Sequence, residues 1–443
     1  MILLLILIIC LAFVVISIIR FDLHPFMALL LAAIGFGLLS GMSFDTILQS
    51  INDGFGGVLG KIGLIILFGV IIGSFLENSG GAMVLASRIL RVIGEKSVHL
   101  AMMITGYIIS IPVFADSGFI MLHPLNKSLS LKSKLPFAGT TAAMALGLTA
   151  SHVMVPPTPG PVAAAGILGA DLGKVIFFGL IVSVLSLFTC YIFARKYCDK
   201  VTVSNPIPAP AATELQQKAP GLFKSFLPVL VPIFLIILNS VAMFPTAPLG
   251  QGSLVNILGF IGNPAIALLI GVFLVMTLPE RIDKKIISAS GWLGKALLTA
   301  APIILITGAG GIFGKVLQNS GIAELVSSQL GNTNLGLWLP FLLAAGLKTA
   351  QGSSTVALIT TASIVAPLMP ALGLESEIAK ALGVLAIGAG SAVASHANDS
   401  FFWVLTQMTG MNIKEGNQVL SLGTIVFGTT AIIIISILSA FVI

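Results

Sequence analysis

Residues 73–82 read GSFLENSGGA, and residues 314–323 read GKVLQNSGIA. Both fit G-x-x-L-[EQ]-N-S-G-x-A, and both follow an Ile/Gly-rich apolar run. Ala150-Ser151-His152 returns as Ala394-Ser395-His396, and Leu168-Gly169-Ala170-Asp171 returns more weakly as Thr409-Gly410-Met411-Asn412. The matches keep their order and nearly their spacing, so the chain reads as a duplicated unit. Basic residues give the sense of the duplication. Arg88, Arg91 and Lys96 follow the first Asn-Ser-Gly, whereas Glu324 and no Lys or Arg follow the second through residue 338. Lys127, Lys132 and Lys134 follow the first polar segment, whereas Glu375 and Glu377, with Lys380 further on, follow its counterpart. Equivalent loops thus belong on opposite faces of a membrane by the positive-inside rule, which predicts an inverted repeat.

Composition supports that setting. Of 443 residues, 57% are hydrophobic and 9% are charged, against about 25% charged in a soluble domain. Mean hydropathy is +1.10. These values exclude a cytosolic enzyme, a coiled coil, a disordered chain and, despite a net charge of +6, a nucleic-acid binder. Long unbroken apolar runs exclude the weak alternation of a β-barrel. The expected fold class is an all-α polytopic membrane protein. Spans are predicted near 2–19, 25–41, 59–76, 97–111, 136–151, 174–194, 226–243, 254–278, 296–313, 337–349, 378–395 and 418–442. Residues 1–20 lack a basic start and a small-residue cleavage site, so they read as a first span. A polar, Pro-rich linker over 195–225 separates a first repeat, 1–194, from a second, 226–443. Its Arg195, Lys196, Lys200, Lys218 and Lys224 place it in the cytoplasm. Cys10 and Cys190 lie in apolar runs, and with Cys198 they form no metal or disulfide pattern.

Four segments are too polar for lipid and too apolar for ordinary loops: 111–125, 150–171, 350–370 and 394–410. They fall two per half, in corresponding places. Irregular backbone at membrane depth must be buried in protein or line a cavity, and helix ends there suit a carboxylate ligand. Asp116, with Ser117 and Gly118, sits between apolar flanks, where an unsolvated carboxylate is costly; a wetted surface loop is the plain alternative. Gln351, Gly352, Ser353, Ser354 and Thr355 form a polar knot, expected to be the tip of a re-entrant hairpin. Lys348 beside it is expected to snorkel to the interface rather than serve as a counter-charge. His152 precedes Pro156, Pro157, Thr158, Pro159, Gly160 and Pro161, a forced helix break. Its counterpart His396 adjoins Asn398, Asp399 and Ser400. His152, His396, Asp116 and Asp399 are the candidates for carrying a proton; polar rivets between packed repeats are the alternative for the histidines and Asp399. Glu77-Asn78-Ser79 and Gln318-Asn319-Ser320 read first as helix C-caps. Phe401, Phe402 and Trp403 read as packing or interfacial aromatics. No Walker loop, G-x-S-x-G or His/Cys metal spacing is present, so neither an enzyme nor a cofactor or metal is expected.

VPPTPGPVAAAGILGAD at 155–171 resembles the PPHPGP-type block of the gluconate permease family, the gluconate:proton symporters. IPVFADSGFIMLHPL, AQGSSTVALITT and SHANDSFFW are similar to that family's other blocks, and the likeness runs from the first helix to the last. The resemblance implies an inner-membrane secondary transporter of the ion-transporter superfamily. That superfamily has inverted repeats, re-entrant hairpins, and a scaffold with a mobile, elevator-like transport domain, usually in homodimers. It implies proton-driven import of gluconate or a related small carboxylate. The implied substrate segment comprises Asp116, Ser117, Gly118, the run from Pro156 through Thr158 to Gly160, Gly352 through Thr355, His396, Asn398 and Asp399. Many gluconate carriers have His where Thr158 stands and a second Phe where Ala115 stands. Those departures point to another small acid, such as a sugar acid, a short hydroxy acid or D-serine. Alternatives to the symporter are sodium coupling, a non-transporting sensor and an ion channel.

Overall fold

The computed structural model describes residues 2–94, 97–204, 220–243, 252–322 and 335–442. Most of the linker (205–219), Lys96 and Glu324 lie outside the described residues. The first half comprises α1 (Ile2–Phe21), α2 (Pro25–Leu39), α3 (Phe44–Asn78), α4 (Gly81–Ile93), α5 (Val98–Ile109), α6 (Ala115–Ser133), α7 (Phe137–Met154), α8 (Pro159–Leu168) and α9 (Leu172–Lys196). The second comprises α10 (Leu222–Ala242), α11 (Ser253–Ile261), α12 (Pro264–Val275), a single turn α13 (Lys284–Ile287), α14 (Trp292–Asn319), α15 (Trp338–Gln351), α16 (Ser354–Val365), α17 (Glu377–Ala392), α18 (Ser400–Thr409), the turn α19 (Ile413–Gly416) and α20 (Leu422–Val442). The predicted spans fall on helix, except that 254–278 is broken at 262–263. Six helical stretches among the described residues are long and apolar enough to cross a membrane, or seven if the bent pair Val255–Ile261 and Pro264–Val275, 63° apart, counts as one. Of the shorter apolar helices, Val98–Ile109 ends and Ser354–Leu368 starts at a break the sequence marks.

Local sequence sets these ends. Ser43 caps α3 by accepting from the Thr46 amide at 3.2 Å, and Asp171 caps α9 by accepting from the Lys174 amide at 2.8 Å. Both Asn-Ser-Gly triplets terminate a long helix, α3 or α14, with Gly80 and Gly321 at φ 75° and 74°. The cap reading of that motif is therefore the observed one.

Packing partners exchange between the halves. α3 packs along α14; α2 packs on α14 while α12 packs on α3. α5 packs on α7 as α15 does on α17, and α8 meets α16 as α18 meets α6. α7 and α17 are buried along nearly their whole length. At the α3–α14 crossing, a Cβ on Gly54 would lie 2.6 Å from the Gly311 carbonyl oxygen, and one on Gly311 would lie 2.4 Å from that of Gly54. Only glycine permits this approach. Outward faces carry large apolar side chains, among them Phe188, Phe234, Ile433 and Phe441, as a lipid-facing surface requires. Cys10, Cys190 and Cys198 are buried and unpaired.

Gly311→Val should therefore force α3 and α14 apart, costing about 1–3 kcal/mol. Gly56→Ala, whose Cβ meets nothing within 4 Å, should leave the melting temperature in detergent unchanged. Equal melting temperatures for the two variants would refute the contact.

Candidate functional site

The four interruptions fall at 110–114, 155–158, 352–353 and 393–399. Three of them surround one cavity of about 530 Å³ together with the C-terminal turns of α7 and α17. From the first half come Phe114, Ala115, Asp116, Ser117, Thr149 and His152. From the second come the 351–355 knot and Ala392, Ser395, Asn398, Asp399, Ser400 and Phe401. The fourth break, 155–158, sits beside it in a narrow crevice with Pro112, Val113 and Gly69.

The cavity floor is held by one ion pair. Lys348 is 1% exposed and its Nζ lies 2.5 Å from Asp399 Oδ2. The same ammonium donates to the Gly352 carbonyl, and Ser395 Oγ donates to the same carboxylate oxygen. Asp399 Oδ1 accepts from the Phe401 amide at 3.1 Å, which caps α18. The expectation that Lys348 snorkels is thus overturned. The turn at Gly352 brings the 393–399 break onto the end of α15, where the apolar stem and charge of Lys348 are both enclosed. Gly352 has φ 91°, and a Cβ there would lie 2.0 Å from the Asn398 carbonyl oxygen, so the turn demands glycine. The exposed Thr349 carbonyl at the end of α15 accepts from Asn398 Nδ2 at 2.7 Å and contacts His396 Nε2 at 3.0 Å.

Asp116 differs from Asp399. Its Oδ2 accepts from Ser400 Oγ at 2.9 Å, and no Lys, Arg or His nitrogen stands within ion-pairing distance of it among the described residues. It stands in the first turn of α6, whose N-cap Phe114 supplies no side-chain cap. Ser354 and Thr355 occupy the first turn of α16, where Ser353 Oγ takes only the Val356 amide. Two helix N-termini thus present first-turn amides and hydroxyls beside one unpaired carboxylate, an arrangement suited to an anion. His152 reaches the cavity, its ring tilted 55° to that of Phe114 with centroids 6.0 Å apart, and its buried Nδ1 has no hydrogen-bond partner among the described residues.

Four predicted residues lie apart from the lining. Gly118 packs on Leu148 and donates its amide to Phe114. The Thr158 hydroxyl donates to its neighbour Val155 at 2.6 Å. Gly160 packs under Leu358, and His396 is turned to Thr349. Thr149 and Ser395 are lining residues that sequence reasoning missed as individual contacts; the repeated Ala-Ser-His triplet was the available signal for Ser395. Among the described residues no group of His, Cys, Asp or Glu is placed to hold a metal ion.

Broken helices from both halves of the chain closing on one anion-suited cavity fit a membrane permease. Residues 1–442 match the GntP family permease signature, and the chain belongs to that family. It is 36% identical to the gluconate permease of Pseudomonas aeruginosa, over 90% of this chain and 89% of that protein. It is 33% identical to the high-affinity gluconate transporter of Escherichia coli, over 90% of each. It is 31% identical to the Gnt-II system L-idonate transporter of E. coli, over 91% of each. Its fold is similar to that of the Alcanivorax borkumensis YdaH transporter, with TM-score 0.61 at 15% identity over 89% of this chain and 88% of that one. The protein is a multi-pass inner-membrane permease and not an enzyme.

Lys348→Met would leave Asp399 buried beside no cation, a loss of about 3 kcal/mol or more. The melting temperature should fall sharply, and Lys348→Met combined with Asp399→Asn should recover part of it. A lysine that reached water would instead give a silent single variant.

Proposed function

We propose that this permease imports a small hydroxylated carboxylate, a sugar acid of the gluconate or idonate type, together with a proton. The observation that carries this reading is the unpaired Asp116 carboxylate beside the first turns of α6 and α16. A substrate carboxylate would sit against the amides of those turns, with the Ser117, Ser354 and Thr355 hydroxyls meeting its hydroxyl groups. Asp116 carries the coupling proton: when ionised it repels the anion, and when protonated it admits it. Asp399 is neutralised by Lys348 and holds the floor. The cavity volume lies within the range of small-ligand pockets, about 300–1,000 Å³. The relatives named for gluconate and L-idonate support the substrate class.

Alternating access would follow from inverted repeats. α3 and α14 form a scaffold, and the hairpins bearing the breaks move against it as an elevator-like unit, in a homodimer. Sodium coupling in place of protons, with unwound carbonyls holding the ion, is distinguished by replacing sodium with choline. Ala115 lines the cavity, and its small side chain leaves room for an acid of gluconate length.

In proteoliposomes, an inward proton gradient should drive accumulation of radiolabelled gluconate. Asp116→Asn should abolish the response to the gradient while retaining exchange across the membrane. Gradient-driven accumulation by that variant would exclude Asp116 as the carrier of the proton.

A further inference from the structure

A second cavity, of about 490 Å³, lies between the scaffold helices and the far ends of the hairpin helices. α3 contributes Asp53 and Lys61, α14 contributes Lys315 and Gln318, and Gly166 and Pro367 close it. Helix α16 has Ser354 and Thr355 in the first cavity at its start, and Ala366 and Pro367 just past its end in this one. Its 12 residues set the two about 18 Å apart. Packing of Gly160 on Leu358 and of Gly310 on Ser363 lies between them.

This cavity faces the side of the protein poor in basic residues. Helix α9, 25 residues and about 37 Å long, separates Asp171 near the second cavity from Lys196 at the other face. That other face also gathers His99 with Asp199, and Ser204 with Glu415, next to Arg195, Lys200 and Lys414. Topogenic charge therefore does not explain lysines at the second cavity. On the same side, Lys174 and Lys380 are satisfied by Glu377 at 4.0 and 3.2 Å. Among the described residues Lys61 has no ion pair, and Lys315 donates only to Gln318, at 3.2 Å. With Asp53 as the one acidic lining residue, two lysines leave the cavity one positive charge in excess.

We infer that this cavity is an outer vestibule in which Lys61 and Lys315 collect the anionic substrate before it reaches the interrupted helices. A small carboxylate carrying hydroxyl groups fits it, with the two ammonium groups on the carboxylate and Gln318 on a hydroxyl. Two weakly bound cations at a mouth raise local anion concentration and are screened by salt. The inference rests on the carboxylate-transport reading above.

The test is initial uptake of radiolabelled gluconate by oriented proteoliposomes of the full chain, at low and high ionic strength. Lys61→Gln with Lys315→Gln should raise KM from the outer side roughly fivefold, leave Vmax within about twofold, and flatten the salt dependence of KM. Lys61→Arg with Lys315→Arg should restore wild-type values. Lys224→Gln, at an exposed helix start away from both cavities, should change nothing. Lys315→Gln alone should give about half the logarithmic effect and decides the matter should the double variant not be recovered. An unchanged KM and salt response in wild type and Gln variants alike overturns the vestibule while leaving the transport reading intact. Absence of uptake by the wild type removes both.

Discussion

A chain that interrupts its helices inside a bilayer leaves amides and carbonyls that lipid cannot satisfy. Here the interruptions satisfy one another. The end of α15 gives its Gly352 carbonyl to Lys348 and its Thr349 carbonyl to Asn398 and His396 from the 393–399 break. Asp399 closes the circuit by accepting from Lys348, from Ser395 and from the start of α18. Removing the ammonium would leave several partners stranded together, so the cavity floor is a network rather than a pair. The start of α6 has no side-chain cap, and at the start of α16 Ser353 caps the Val356 amide; the other first-turn amides of the two helices are the groups a carboxylate can use.

The rest of the architecture serves that junction. The glycine-to-glycine crossing of α3 and α14 sets a close-packed frame, and the buried α7 and α17 hold the hairpins on either side of it. Small residues recur where helices pass, which is how membrane helices gain contact without a hydrophobic drive toward each other. Two cavities lie at opposite ends of α16, with one packed layer between them. Their charges differ: the inner one holds an unpaired carboxylate, the outer one an excess cation.

Much of this was legible in the sequence, because hydropathy and helix-breaking residues are local signals. The predicted spans fall on helix, apart from the bend at 262–263 inside 254–278, and each of the four Gly/Pro/Ser segments contains a break. The NSG triplets end the helices they were read to end. Residues whose role depends on distant partners were less legible. Lys348 reads as an interfacial lysine because its partner lies 51 residues away. The α6 helix was hidden by its polar stretch HPLNKSLS, whose Asn126, Lys127 and Ser130 are buried against neighbouring helices rather than wet. Thr158 and Gly160 lie outside the main cavity, at the adjoining crevice and against Leu358.

The starts of α8 and α16, each following a break in a different half, lie together. A Cβ on Gly160 would lie 3.7 Å from the Thr355 Cα, which is within disulfide reach. Gly160→Cys with Thr355→Cys, and a protease site placed in the 205–219 linker, turns that proximity into a gel measurement, because the native cysteines are buried. Mild oxidation in membrane vesicles should keep the cleaved halves joined until a reductant is added. Halves that separate after oxidation, with both introduced thiols still free, would show that the starts of α8 and α16 do not meet.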